Sequence, residues 1–179
     1  MRGNCLNTRT GARPDLTRTM VLRRKKRRHR HLVLALFVVV SLVVAFFGTV
    51  YMPGDWQSQI TKPPWTPPRA LFAPIWTLLH VMMAVGAWIV WRHHLHLLRW
   101  PALAAFALQL ILNALWSWMY FSAQDIGGAL LTLTAVWAVL ALTCALFFRV
   151  ATVAGALLVP YLVWASFALA LNFEIWRLN

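Results

Sequence analysis

LVLALFVVVSLVVAFFGTV, residues 32–50, carries no charged side chain. Its length matches the roughly 20 apolar residues that a helix needs to cross a hydrocarbon core about 30 Å thick. Four further stretches of the same kind follow it, at residues 71–91, 101–122, 126–148 and 150–173. The whole chain is 61% hydrophobic and 12% charged, against about 25% charged residues in an ordinary soluble domain. A soluble fold could not cover so much apolar surface with so few charges. The sequence therefore predicts an all-α membrane protein, a five-transmembrane-helix bundle occupying residues 32–179, behind a basic and irregular tail at residues 1–31. The basic start and apolar run of the first segment also suit a cleaved signal peptide. The run is long for a signal and lacks an A-x-A site, so a retained helix is expected. Pro74 is placed in the first turn of the second helix, where a proline costs little. Pro160 should leave a carbonyl unpaired and kink the fifth.

The net charge of +13 resembles a nucleic-acid signal until it is located. About eleven Lys and Arg lie between Arg2 and Arg30 against one acid, Asp15, so about +10 of the charge belongs to the tail. The run Arg23-Arg24-Lys25-Lys26-Arg27-Arg28 directly precedes the first apolar segment. It reads as a topogenic cluster at a membrane face, with no aromatic or recognition element to suggest nucleic acid. Translation from either Met1 or Met20 retains this cluster. Arg92, Arg99 and Arg149 fall on the same side as the tail if five helices alternate. That bias predicts a cytoplasmic N-terminus and an external C-terminus in a bacterial cell membrane. Cys5 and Cys144 lie in the tail and inside an apolar segment, so no disulfide framework is indicated.

Residues 51–69, YMPGDWQSQITKPPWTPPR, are too polar and proline-rich to span a membrane. The prolines make this loop stiff and extended. It is either an interfacial loop anchored by its tryptophans or a lid over the mouth of the bundle, with Trp56, Lys62 and Trp65 as its marked residues. The spans hold essentially no charge, which argues against an ion-coupled pump. No catalytic arrangement and no metal-ligand spacing stands out. Instead, polar and aromatic residues recur at helical spacing: Trp76 and His80 on the second helix, Gln109, Asn113, Trp116 and Tyr120 on the third, and Tyr161, Trp164, Ala168 and Asn172 on the fifth. An amide facing lipid would go unsatisfied, so these stripes should turn inward. Gln109, Asn113 and Asn172 then either join helices by hydrogen bonds or line a cavity with aromatic walls, suited to a flat apolar ligand. His80 alone reads as a neutral hydrogen-bonding residue. Trp88, Trp91, Trp100 and Trp176, near segment ends, read as interfacial belt residues.

These residues also carry a resemblance. Trp56 with Lys62-Pro63-Pro64-Trp65-Thr66-Pro67-Pro68 and Phe72-Ala73-Pro74-Ile75-Trp76 resembles the first loop and second helix of TspO/MBR (tryptophan-rich sensory protein/translocator protein) family members. Gln109 with Leu112-Asn113-Ala114-Leu115-Trp116-Ser117 resembles the third-helix signature. Val159-Pro160-Tyr161-Leu162-Val163-Trp164 with Phe167-Ala168 and Leu171-Asn172 resembles the fifth. The resemblance implies a homodimeric five-helix bundle whose pocket is closed by the first loop. It implies a receptor for porphyrins such as protoporphyrin IX and related flat apolar ligands, acting in tetrapyrrole homeostasis or stress signalling, with no required cofactor. The implied ligand-binding set is Trp76, His80, Gln109, Asn113, Trp116, Tyr161, Trp164, Ala168 and Asn172, with Trp56, Lys62 and Trp65 on the lid. A porphyrin transporter and a light- or oxygen-dependent porphyrin-degrading enzyme are the alternatives. The chain departs from the family in its long basic tail and in His80, which stands where a tyrosine is usual and would offer an axial nitrogen to a metalloporphyrin. The proposed sterol pattern L/V-x₁₋₅-Y-x₁₋₅-K/R is absent at Tyr161.

Overall fold

The computed structural model describes the backbone of residues 16–50 and 56–179, with side chains undescribed at 16–27, 47–50, 57, 58 and 69. The chain divides into two units, residues 1–33 and 34–179. The first fifteen residues of the tail, with Cys5 and the Met1 start, lie outside the described residues. So do residues 51–55 of the loop.

Among the described residues six α-helices follow one another: α1 (Leu16–Val50), α2 (Trp56–Gln59), α3 (Arg69–Arg92), α4 (Arg99–Ser117), α5 (Ile126–Val150) and α6 (Thr152–Leu178). Five contain stretches long and apolar enough to cross a membrane: Arg28–Phe46, Ala70–Arg92, Arg99–Ser122, Ile126–Val150 and Thr152–Leu178. These are the five expected spans. The ends differ in instructive ways. Helix α1 starts at Leu16, so the irregular chain expected down to residue 31 is helical from Leu16 onward. Leu, Arg and Lys are good helix formers, and extending an existing helix avoids the cost of a new nucleus. Helix α3 starts at Arg69, which puts Pro74 inside the helix rather than in its first turn. Helix α6 continues through Pro160 and on to Leu178.

The third span changes character near its end. After Ser117 the backbone widens into a π turn, Trp118–Ser122, in which Ala123 N donates to Trp118 O at 2.9 Å. Gln124 then takes φ 56°, the left-handed region that disfavours a residue with a Cβ. Asp125 caps α5, its side chain accepting from Gly128 N at 2.8 Å. Between α5 and α6 there is only Ala151, in extended conformation.

Outside the bundle the helices show lipid-compatible surfaces: Leu78, Ile111, Leu131 and Val163 are all exposed. Inside, α5 packs on α4 and α6, and α3 on α6. Small residues make the α3–α6 approach close. A Cβ added at Gly86 would lie 3.0 Å from Leu158 Cδ1 and 3.2 Å from the Ala154 carbonyl oxygen. Phe37 of α1 meets Phe106 of α4 edge-on at 5.8 Å. Ser41 and Ala45 form the buried edge of α1, while Leu36, Val39, Val40 and Val43 face outward.

Candidate functional site

At the end of the bundle where α3 begins and α6 finishes, a cavity of about 130 Å³ lies beneath residues 60–68. Its roof is Lys62, Thr66 and Pro67; Ala45 closes one side. Helix α3 contributes Phe72, Ala73, Trp76 and Thr77. From α4 and its π turn come Trp116, Ser117, Tyr120 and Phe121; from α6, Trp164, Ala168, Leu171, Asn172 and Ile175. The walls form a continuous aromatic surface. Trp76 meets Trp116 at 5.6 Å, and Trp116 stacks on Tyr120 at 5.8 Å and 24°. Phe72 meets Trp164 edge-on at 5.7 Å.

Three contacts among the described residues hold the loop down. Trp56 packs edge-on against Tyr120 and Trp65 against Phe167, each at 5.7 Å. The third is polar: Thr61 N donates to Asn179 Oδ1 at 2.9 Å, and Asn179 Nδ2 donates back to Thr61 O at 3.0 Å. Asn179 Nδ2 also donates to Ile175 O at 2.8 Å, so the clasp is anchored on α6. Within the loop, Thr66 N and Thr66 Oγ1 both donate to Pro63 O, at 3.1 and 2.7 Å. These bonds fix a turn and place Thr66 over the cavity.

Of the residues marked by sequence, Trp76, Trp116, Tyr120, Trp164, Ala168, Asn172 and Lys62 line the cavity. His80, Gln109, Asn113 and Tyr161 do not. They sit deeper along the same helices and are essentially fully buried. There Tyr161 Oη donates to Asn113 Oδ1 at 2.8 Å, and Asn113 Nδ2 to Gln109 O at 2.9 Å. Asn113 is thus a joint between α4 and α6. His80 Nδ1 lies 2.9 Å from Trp76 O. A carbonyl oxygen only accepts, so Nδ1 carries the proton. His80 therefore underpins Trp76, whose ring lies 5.4 Å away, and does not reach the cavity. Trp56 and Trp65 brace the loop against the bundle and are not part of the lining.

Several lining residues went unmarked. Phe72 lies one turn before Trp76, and Leu171 and Ile175 follow Ala168 at steps of three and four, so helical spacing could have found them. Phe121 follows the lining residue Ser117 by four and reaches the same wall as Trp116 and Tyr120 from within the π turn.

The electrostatics are simple. Among the described lining residues Lys62 carries the sole charge, and it lies in the roof. Three polar atoms of lining residues are buried without a hydrogen-bond partner: Trp116 Nε1, Trp164 Nε1 and Asn172 Oδ1. Buried polar atoms are normally paired. Two indole donors and one amide acceptor in an apolar wall are what a ligand with a few polar atoms would need. Among the described residues no group of three or more His, Cys, Asp or Glu could hold a metal ion.

The sequence pattern of the TspO/MBR family matches residues 32–177. The chain is 39% identical over 143 residues to the tryptophan-rich sensory protein of Cereibacter sphaeroides, covering 80% of this chain and 89% of that one. It is 33% identical over 149 residues to protein CrtK of Rhodobacter capsulatus, with 81% and 91% covered. It is 34% identical over 148 residues to the translocator protein of Ovis aries, with 80% and 88% covered. With five spans in the bundle and a match running from the first span to the last, this chain is an integral membrane protein of the TspO/MBR family.

Proposed function

We propose that the protein is a membrane receptor for flat, largely apolar ligands of the tetrapyrrole class, acting in tetrapyrrole homeostasis or stress signalling. The observation that carries this reading is the aromatic cavity with Trp116 Nε1, Trp164 Nε1 and Asn172 Oδ1 unpartnered in its wall. Flat faces of indole and phenol rings suit a planar macrocycle, and among the described lining residues there is no carboxylate to repel acidic substituents. Lys62 in the roof provides a cation for a propionate left at the mouth. The reading needs no cofactor.

Size supplies a second element. A space of about 130 Å³ is smaller than the usual 300–1,000 Å³ of ligand pockets. A macrocycle would therefore displace the loop of residues 60–68, and the small volume supports reading that loop as a lid rather than a passive interfacial segment. The same proposal includes a homodimer in a bacterial cell membrane. It also includes a cytoplasmic N-terminus, supported by Arg92, Arg99 and Arg149 lying at one end of the alternating spans.

The test is tryptophan fluorescence quenching of the purified protein titrated with protoporphyrin IX, beside Trp164→Phe and Ala168→Leu. The Ala168→Leu side chain would occupy the cavity between its bulkier neighbours. Saturable quenching in the wild type, weakened in both variants, is the expected result. Linear quenching of equal slope in all three proteins would mean partition into the micelle, and the proposal would fail.

A further inference from the structure

We propose that the loop joining α3 to α4, residues 93–98 with Arg92 and Arg99 at its edges, is a docking surface for the headgroups of anionic phospholipids. It lies at the end of the bundle opposite the lid and is independent of the cavity. Leu95 is 87% exposed and Leu97 92%, the most exposed large apolar residues of the described chain. A loop in water would gain by folding such side chains back.

This loop cannot fold them back freely, because its backbone is fixed. His93 N donates to Val90 O, His96 N to His93 O and Arg99 N to His96 O, at 3.0 to 3.1 Å. Leu98 N donates to His96 Nδ1 at 3.1 Å, and His93 Nδ1 lies 2.8 Å from Ile89 O. The two leucines are held outward by construction. The flanking spans end at Arg92 and restart at Arg99, which would set the loop at the level where headgroups meet acyl chains.

The charges around the leucines are of one sign. No Asp or Glu occurs between residues 56 and 124. Glu174 pairs with Arg177 on α6, at 2.9 Å. The Arg92 guanidinium lies 4.7 Å from the centre of the Trp88 ring. That of Arg99 lies 4.7 Å from the Trp100 ring and 5.8 Å from the Trp91 ring. Stacking on an aromatic face occupies the plane of a guanidinium and keeps its N–H edge for a bidentate anion such as a phosphodiester. Arg149, in the last turn of α5, adds a cation at the same end of the bundle. Rigid outward leucines flanked by preorganised guanidiniums fit an anionic lipid surface: the leucines enter the acyl boundary while the arginines hold phosphates.

The test places an environment-sensitive fluorophore on Leu97→Cys in a Cys5→Ser, Cys144→Ala background. The full-length protein is reconstituted in vesicles of phosphatidylcholine, alone or mixed with phosphatidylglycerol. The expected result is blue-shifted emission, quenched by nitroxide lipids, that is larger with phosphatidylglycerol. High salt should reduce the increment, and R92Q/R99Q should abolish it while the thermal transition of the protein is retained. If the double variant is poorly folded, the single variants R92Q and R99Q decide, each expected to lower the phosphatidylglycerol increment. An increment that survives R92Q/R99Q would assign lipid attraction to the basic tail and overturn the proposal; one that is insensitive to salt would show that it is not electrostatic and would overturn it as well. Water-like emission in both lipids would also overturn it and leave an acidic soluble partner for this loop.

Discussion

Replacing Asn179 with alanine should raise the rate at which the lid opens while leaving the bundle intact. The Asn179 carboxamide makes two hydrogen bonds with the Thr61 backbone and one within α6. Only the first two restrain the lid. A hydrogen bond contributes about 0.5–1.5 kcal/mol net, and these are exposed, so together they hold the lid by about 1–2 kcal/mol. That corresponds to a factor of about 5–30 in the ratio of open to closed lid. The contacts of Trp56 with Tyr120 and Trp65 with Phe167 remain, so the lid should loosen without detaching. Ser117 is 2% exposed and lines the cavity. With Ser117→Cys in a Cys5→Ser, Cys144→Ala background, the rate of modification by a small polar thiol reagent reports the open fraction when reclosing is fast. Adding Asn179→Ala should accelerate modification about 5–30-fold on the estimate above. An unchanged rate would refute the reasoning, because the reagent would then reach the cavity by another route or the clasp would not restrain the lid. The experiment requires no ligand, so it is independent of the proposed function.

Three further outcomes are expected. Tyr161→Phe removes the donor to Asn113 Oδ1 and leaves a buried oxygen unpaired. The cost should be about 1 kcal/mol, toward the lower end of the range for buried polar groups because interhelical hydrogen bonds in membranes average less than in water; thermal unfolding in detergent checks it. Asp125→Ala removes the cap on Gly128 N and should destabilise the start of α5 by about 0.5–2 kcal/mol, seen as faster amide exchange there. Gln124→Gly relieves a side chain held at φ 56° and should stabilise the protein by up to about 1 kcal/mol, less the entropy that glycine adds to the unfolded chain; an unchanged or lowered melting temperature would contradict it.

The five spans were legible because each is a local property: about 20 apolar residues in a row dictate a crossing whatever the neighbours do. The inward faces were legible for the same reason, since a 3.6-residue period places Trp76, Trp116, Trp164, Ala168 and Asn172 without reference to the rest of the fold. The family signature rested on those same residues. Depth was different. The period says which way a side chain points around its helix and nothing about where along the axis the cavity ends. His80, Gln109, Asn113 and Tyr161 share faces with lining residues and lie beneath them; Tyr161 bonds to Asn113, Asn113 to the Gln109 carbonyl and His80 to the Trp76 carbonyl, while the Gln109 side-chain amide is buried without a partner. The π turn that carries Phe121 has no periodic sign in the sequence either.

The clasp between Thr61 and Asn179 joins residues 118 apart and exists only because α6 ends beside the loop that precedes α3. The sequence alone determined that this chain crosses a membrane five times and which helical stripes turn away from lipid, because burial in a bilayer is decided residue by residue along a helix. Tertiary structure decided which of those stripes enclose a space and what closes it. Those depend on the relative heights of helices and on one widened turn, quantities that no single segment contains.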